Sequence, residues 1–259
     1  MKVLSILRAE RYSPNSVAND RAILEAVNSI LRSRGHDVTL VSENDTPVAV
    51  PPVILSMSRH PSTLSWLKTL RDVRIINPPK GVENCSRSTL TAIMSRIGTP
   101  MPPEEGAYGY WLKRGDSAAQ SADDVQFAAS KSELAGKIRA FEARGITDYV
   151  ISAHVVGDIV KFYGVLGTDF FRFFYPTDDG LTKFGDESHN GSARHYAFDE
   201  AKLRAAAESL ALAVGIQVYG GDCIVRDDGS FCVIDFNDWP SFSRCREEAA
   251  EAIAGLLTI

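Results

Sequence analysis

Histidine and cysteine are scarce in this chain, and neither clusters. The five histidines are scattered over 259 residues without ligand spacing. Four cysteines, Cys85, Cys223, Cys232 and Cys245, lack it too, which argues against a structural zinc centre. Cys223 and Cys232 lie among apolar residues and read as buried free thiols. No run of about twenty apolar residues occurs, so no membrane span is expected. The opening "MKVLSILRAERY" has too short an apolar core for a secretory signal, and a cytoplasmic protein is expected. A net charge of −5 argues against a nucleic-acid surface. Internal repeats and low-complexity tracts are absent. No Ser/His/Asp or Cys/His set stands out as a protein nucleophile.

What is present is ordinary globular composition, 44% hydrophobic and 24% charged, with length for two or three lobes. "KVLSIL" reads as a buried strand. "NDRAILEAVNSILRSRG" follows as an amphipathic helix, with Ile23, Val27, Ile30 and Leu31 at helical spacing and Gly35 past its end. The strand "DVTLV", the strand "PVILSM", a helix around "STLSWLKTL" and the strand "VRIIN" come next. Such alternation implies a parallel sheet with crossovers. "NPPKGVENC" reads as a connector. A helix "SRSTLTAIMSRIG", a strand "GYWLKRG" and a helix "ELAGKIRAFEARG" follow, then nearly continuous β signal from 148 to 176. A helix "FDEAKLRAAAESLALAVG", a hairpin and a last helix "REEAAEAIAGLL" complete the chain. The divisions expected are an N-terminal βα lobe at 1–81, a small lobe at 82–148 and a C-terminal lobe at 149–259.

The hairpin is "GGDCIVRDDGSFCVIDFNDWPSF", Gly220 to Phe242. Asp-Gly is a strong two-residue turn signal. With Asp228 and Gly229 at the turn, Val225 faces Cys232, Cys223 faces Ile234, and Asp222 falls opposite Asp235. Asn237 then shares the face of Asp235. Cys223, Val225, Cys232 and Ile234 form the expected core face. Opposed like charges destabilise a sheet, and a bound cation reverses that sign. Oxygen donors without His or Cys suit Mg²⁺ or Mn²⁺. A solvated hairpin end with a chance pair of acids is the alternative, and a longer loop would slip the register by one residue.

Asp222, then Asp235-x-Asn237 with Pro240 close behind, resembles the metal-binding strand pair of the ATP-grasp superfamily. The family often has Glu where this chain has Asp235. The resemblance spans nearly the whole chain and implies α/β and α+β architecture: an N-terminal parallel βα lobe, then two α+β subdomains that clamp a nucleotide. It implies that Asp222, Asp235 and Asn237 hold Mg²⁺ or Mn²⁺ and that Arg87 and Lys113 grip the ATP phosphates. The hinge "VISAHVVGD" would cradle adenine through the Ala153 carbonyl and the Val155 N–H, with His154 turned away or lining the ribose. The segment "RGDSAAQSADDV" stands where the family has a glycine-rich phosphate loop. Here it offers Gly115, Ser117, Ala118 and Ala119.

The activity implied is ATP-dependent ligation of a carboxylate to an amine through an acylphosphate. Positioning and charge neutralisation then replace a protein nucleophile. A further cation is needed beside the transferring phosphoryl group. Candidates are Lys161, Lys183 and Arg194, with Lys161 and Arg194 favoured. Two polar stretches follow first-lobe strands and run into helices, so Ser13, Asn15, Ser16, Arg59 and His60 are candidates for a substrate carboxylate. The partners expected are small-molecule carboxylate and amine substrates. Alternatives are a small-molecule kinase on the same fold and a non-catalytic nucleotide-binding module. A homodimer is left open.

Overall fold

The computed structural model describes residues 1–13, 16–45, 49–116, 122–179 and 189–257. The first lobe is a parallel sheet of β1 (Lys2–Leu7), β2 (Asp37–Ser42), β3 (Val53–Ser56) and β4 (Arg74–Ile76), in the order β2-β1-β3-β4. β1 and β3 are buried along nearly their whole length, as parallel strands with both faces covered must be. Helix α1 (Val17–Ser33) buries Ile23, Leu24, Val27 and Leu31 against it. Helix α2 (Pro61–Thr69) adds Leu67 on the other side.

The segment expected as a bare connector contains a helix, α3 (Pro79–Asn84), with Pro at its first turn. Pro sets a helical φ there and its missing N–H is not needed. Helix α4 (Arg87–Ile97) ends at Gly98, whose φ is 72°.

The second sheet is antiparallel. It holds β5 (Tyr110–Arg114), β6 (Val125–Ala128) and β7 (Tyr149–Ala153), in the order β6-β5-β7. Helix α5 (Lys131–Ala143) covers it with Leu134 and Phe141. β7 begins the third stretch of chain yet pairs with β5 in the second sheet.

The third sheet holds β8 (Asp158–Val165), β9 (Phe171–Phe174), β10 (Val218–Val225) and β11 (Phe231–Asp238), in the order β11-β10-β8-β9. Helix α6 (Glu200–Val214) and α4 pack on it, placing Leu90, Ile93, Leu203 and Leu210 in one cluster with Phe162 and Phe236. Helix α7 (Arg246–Gly255) then returns to the first lobe, where Ile253, Trp239 and Phe242 join the core under α1.

The hairpin departs from the expected register in an instructive way. Its loop has three residues, because Arg226 N–H donates to the Ser230 carbonyl and Gly229 takes φ 78°. That is a turn closed by a left-handed glycine. Cys223 therefore faces Val233, not Ile234. A bulge then absorbs one residue, Ile234, and restores Asp222 opposite Asp235. Val233, not Ile234, joins Cys223 and Val225 in the core, and Ile234 lines a cleft on the other side.

Helix α3 meets the end of α6 at Gly81, where a Cβ would come within 2.3 Å of the Gly215 carbonyl oxygen. Gly81→Ala is expected to destabilise the protein by about 1–3 kcal/mol, as overpacking does, with the loss read in a urea titration.

Candidate active site

The three sheets meet around a cleft of about 580 Å³. Its floor is the hairpin. Asp222 on β10 and Asp235 on β11 are directly paired, and Asn237 follows on the same strand. Asp222 is also opposite Lys161 on β8, whose Nζ donates to both carboxylate oxygens at 3.0 and 3.3 Å. Lys113 reaches across from β5 and donates to the Ile234 carbonyl at 3.1 Å, the carbonyl of the bulged residue. Arg87, first residue of α4, donates through Nη1 to the Arg114 carbonyl at 3.2 Å. Its Nε is enclosed without a partner.

These cations decide the state of Asp235. Burial alone pushes its carboxyl up, but the fields of Arg87, Lys113 and Lys161, with a hydrogen bond to Asn237, outweigh that and hold it below the ordinary carboxylate range. The opposed acids are therefore not a net repulsion, as the hairpin alone implied. Three basic groups from α4, β5 and β8 surround them.

Among the described residues, no three His, Cys, Asp or Glu side chains gather into a cluster able to hold a metal. The donor set is instead two carboxylates and an amide, hard oxygen donors that suit Mg²⁺ or Mn²⁺. The enclosed Arg87 Nε, a donor without an acceptor, fits an anionic group beside them.

At the other wall, residues 154–157 join β7 to β8. Ala153 N–H donates to the Pro103 carbonyl and His154 N–H to the Gly109 carbonyl, both at 2.8 Å. These bonds hold the crossing in place. His154 is buried, and its Nδ1 accepts from Trp111 Nε1 at 3.1 Å. Ala153, His154 and Val155 line the cleft beside Lys113 and Arg87. Gly115 is held by its N–H to the Asp148 carbonyl at 2.9 Å. Ser117, Ala118 and Ala119 of the expected phosphate loop lie outside the described residues, as does Lys183.

The far end of the cleft includes Ser13, Ser16 and Arg59; Asn15 lies outside the described residues. Arg59 is not a solvated loop residue. Its Nη2 donates to Asp238 Oδ1 at 2.6 Å. Arg8 shares that carboxylate at 3.3 Å and also bonds Asp20 Oδ2 at 3.3 Å. His60 caps α2, its Nδ1 accepting from Ser62 N–H at 3.2 Å, and it does not line the cleft. Arg194 does not line the cleft either. Its side chain is exposed and donates to the Tyr196 hydroxyl at 3.1 Å. Its backbone N–H is held by Asp158, which turns the loop so that Asn190, not Arg194, reaches the cleft.

No family model matches the sequence, and no curated protein matches it. Solved structures do match the architecture. D-alanyl-alanine synthetase A from Vibrio cholerae O1 biovar eltor str. N16961 superposes with a TM-score of 0.68 at 11% identity, covering 100% of this chain and 97% of that one. A RimK domain ATP-grasp protein from Sphaerobacter thermophilus DSM 20745 gives 0.63 at 16% identity, with 100% of each chain covered. The ATP-grasp ligase PsnB, complexed with minimal precursor, gives 0.60 at 13% identity, covering 97% and 98%.

The chain has the ATP-grasp fold.

Within this ATP-grasp fold, sequence reading missed Arg8, Asp20, Glu43 and Asp238. Asp238 directly follows Asn237, and Arg8 directly follows "KVLSIL". Each is a charge beside an apolar strand, and that was the available signal. Glu43 is buried, and its carboxylate accepts the N–H groups of Ala9, Arg59 and His60 at 2.5, 2.8 and 2.8 Å. Burial pushes its carboxyl up despite those bonds. It pins together the loops that follow β1 and β3. Asp238→Ala is expected to cost about 3–5 kcal/mol, because it leaves Arg8 and Arg59 without their shared counter-ion. Equilibrium denaturation measures it. A loss near that of a surface substitution would show that the cluster does not hold these lobes.

Proposed function

We propose that the protein is an ATP- and Mg²⁺-dependent carboxylate–amine ligase that forms an amide through an acylphosphate. The supporting observation is convergence. Arg87, Lys113 and Lys161, from three separate elements, surround Asp222, Asp235 and Asn237 in one cleft. Mn²⁺ would serve as well as Mg²⁺ with this donor set.

The chemistry then runs in two displacements. The substrate carboxylate oxygen bonds to the γ-phosphorus as the β–γ bridging bond breaks, releasing ADP. The amine nitrogen next bonds to the acyl carbon, the carbon–oxygen bond to phosphate breaks, and the amine proton leaves to water. Asp222, Asp235 and Asn237 would hold the metal, which when bound neutralises phosphate charge. Arg87 and Lys113 grip the phosphates through charge-assisted hydrogen bonds. Lys161 takes the position beside the transferring group, and its ammonium must then exchange Asp222 for phosphoryl oxygen. The Ala153 carbonyl and Val155 N–H receive the base. Ser13, Ser16 and Arg59 border the carboxylate, with the Arg59 charge already shared with Asp238.

An ADP-release screen with Mg·ATP over pooled amino acids, peptides and hydroxy acids, with mass spectrometry on hits, tests this reading. A ligase yields an amide and free phosphate. A phosphorylated acceptor would instead mean a kinase, and nucleotide binding without ADP in any pool would mean a non-catalytic module.

Asp235→Asn is expected to abolish turnover while the fold survives, with Mg·ATP no longer raising Tm. The nucleotide-free variant should be slightly less stable, since three cations lose a partner. Strong retained stabilisation by Mg·ATP would remove Asp235 from the metal site.

Lys113→Met is expected to weaken ATP by about 1.5–3 kcal/mol, the range for a hydrogen bond to a charged group, and to leave adenosine unchanged. Calorimetry on both ligands distinguishes this from a general loss of the site, which would weaken them equally.

A further inference from the structure

His154 and Asn190 line the cleft at its hinge end, and neither serves the phosphates or the metal. The two side chains offer opposite hydrogen-bonding groups. Trp111 Nε1–H donates to His154 Nδ1. An indole nitrogen only donates, so Nδ1 is held as the acceptor. In the neutral ring the proton then sits on Nε2, which becomes a donor. Burial, and then the neighbouring His189, hold the His154 pKa below its ordinary value, which keeps the ring neutral near pH 7.

Asn190 supplies the acceptor. Its Oδ1 is enclosed and has no hydrogen-bond partner. A buried acceptor left unpaired calls for one. The preceding residue places it: the His189 ring lies 4.2 Å from the Phe127 ring at 32°, and 5.3 Å from Trp111 at 88°. Asn190 is thereby carried to the same wall as the Trp111–His154 pair. Ile159, Ile224 and Ile234 also line this cleft, giving it apolar surface for a flat ring.

We propose that His154 and Asn190 read the N6–N7 edge of adenine, with His154 Nε2–H donating to N7 and Asn190 Oδ1 accepting from the 6-amino group. Adenine presents one acceptor and one donor on that edge, whereas guanine presents two acceptors. Guanine O6 would face Asn190 Oδ1, lone pair against lone pair. In this amide orientation the pair favours adenine nucleotides. The 6-amino group has two hydrogens, so the Ala153 carbonyl and Asn190 can each take one. The inference rests on the proposed function only in taking the cleft as a nucleotide site.

Calorimetric binding to the intact protein, without other substrates, tests it with three nucleotides. These are ATP, purine riboside 5′-triphosphate, which lacks the amino group, and 7-deaza-ATP, which lacks N7. Wild type is expected to bind 7-deaza-ATP about ten-fold more weakly than ATP, the size of one neutral hydrogen bond, and purine riboside triphosphate more weakly still, since the Ala153 carbonyl and Asn190 both lose a hydrogen. Asn190→Ala should bind ATP about ten-fold more weakly and purine riboside triphosphate as wild type does. His154→Phe should show the same insensitivity to loss of N7. Equal wild-type affinity for all three nucleotides overturns the proposal without any variant. So does an Asn190→Ala variant that weakens ATP and the amino-free analogue alike. A protein that binds no nucleotide overturns the ligase reading too, which separates the two failures.

Discussion

Asp238 carries a single negative charge in the interior, and two arginines from another lobe share it. Its side chain is sealed from solvent, and Arg8 and Arg59 reach it from the loops after β1 and β3. Arg8 is further saturated by Asp20 and by the carbonyls of Met57, Asp238 and Trp239. Taking four charges out of water is costly, so such a cluster contributes little net stability over an apolar packing. Its consequence is geometric. Asp238 stands three residues beyond Asp235 on one strand. Any shift of that strand end moves the loops after β1 and β3, and any shift of those loops pulls on the floor of the cleft.

The same strand solves a second problem. Two acids in register on neighbouring strands would normally push apart. Here the third sheet, the second sheet and α4 each send one cation toward them. Lys161 arrives because β8 is the next strand and in register with Asp222. Lys113 crosses from the second sheet to a carbonyl freed by the bulge. The bulge is thus more than a repair of register. A three-residue loop without it would have placed Asp235 on the wrong face, and Ile234 would have no outward carbonyl for the lysine to hold.

Much of this was legible in the sequence because it is local or periodic. Apolar runs alternating with helices marked the first, parallel sheet, and left-handed glycines closed α4 and α6 at Gly98 and Gly215. Asp-Gly located the hairpin to within one residue. Its loop length was not legible, because two- and three-residue turns share that dipeptide and only packing chooses between them. The bulge compensated, so the Asp222–Asp235 pairing emerged correct through a register that was wrong near the turn. Arg194 and His60 lie off the cleft for another reason. A basic or polar residue near a motif carries no direction, and Asp158 and the α2 cap turn these two elsewhere. The Arg8–Asp238 contact spans 230 positions, a separation no local pattern encodes.

The electrostatics of the floor also bear on the order of events. Lys161 occupies Asp222 through both carboxylate oxygens, the group expected to face a metal. A cation already resident there lowers the cost of holding two acids together before any ligand arrives. Under the ligase reading, a metal held by Asp222 would compete with that ammonium for the carboxylate. A triphosphate bound beside it would offer the lysine further acceptors, since phosphoryl oxygens take ammonium hydrogens as carboxylates do. Under that reading Lys161 would favour a metal–nucleotide complex over the free metal, through its own charge rather than through the metal's ligands.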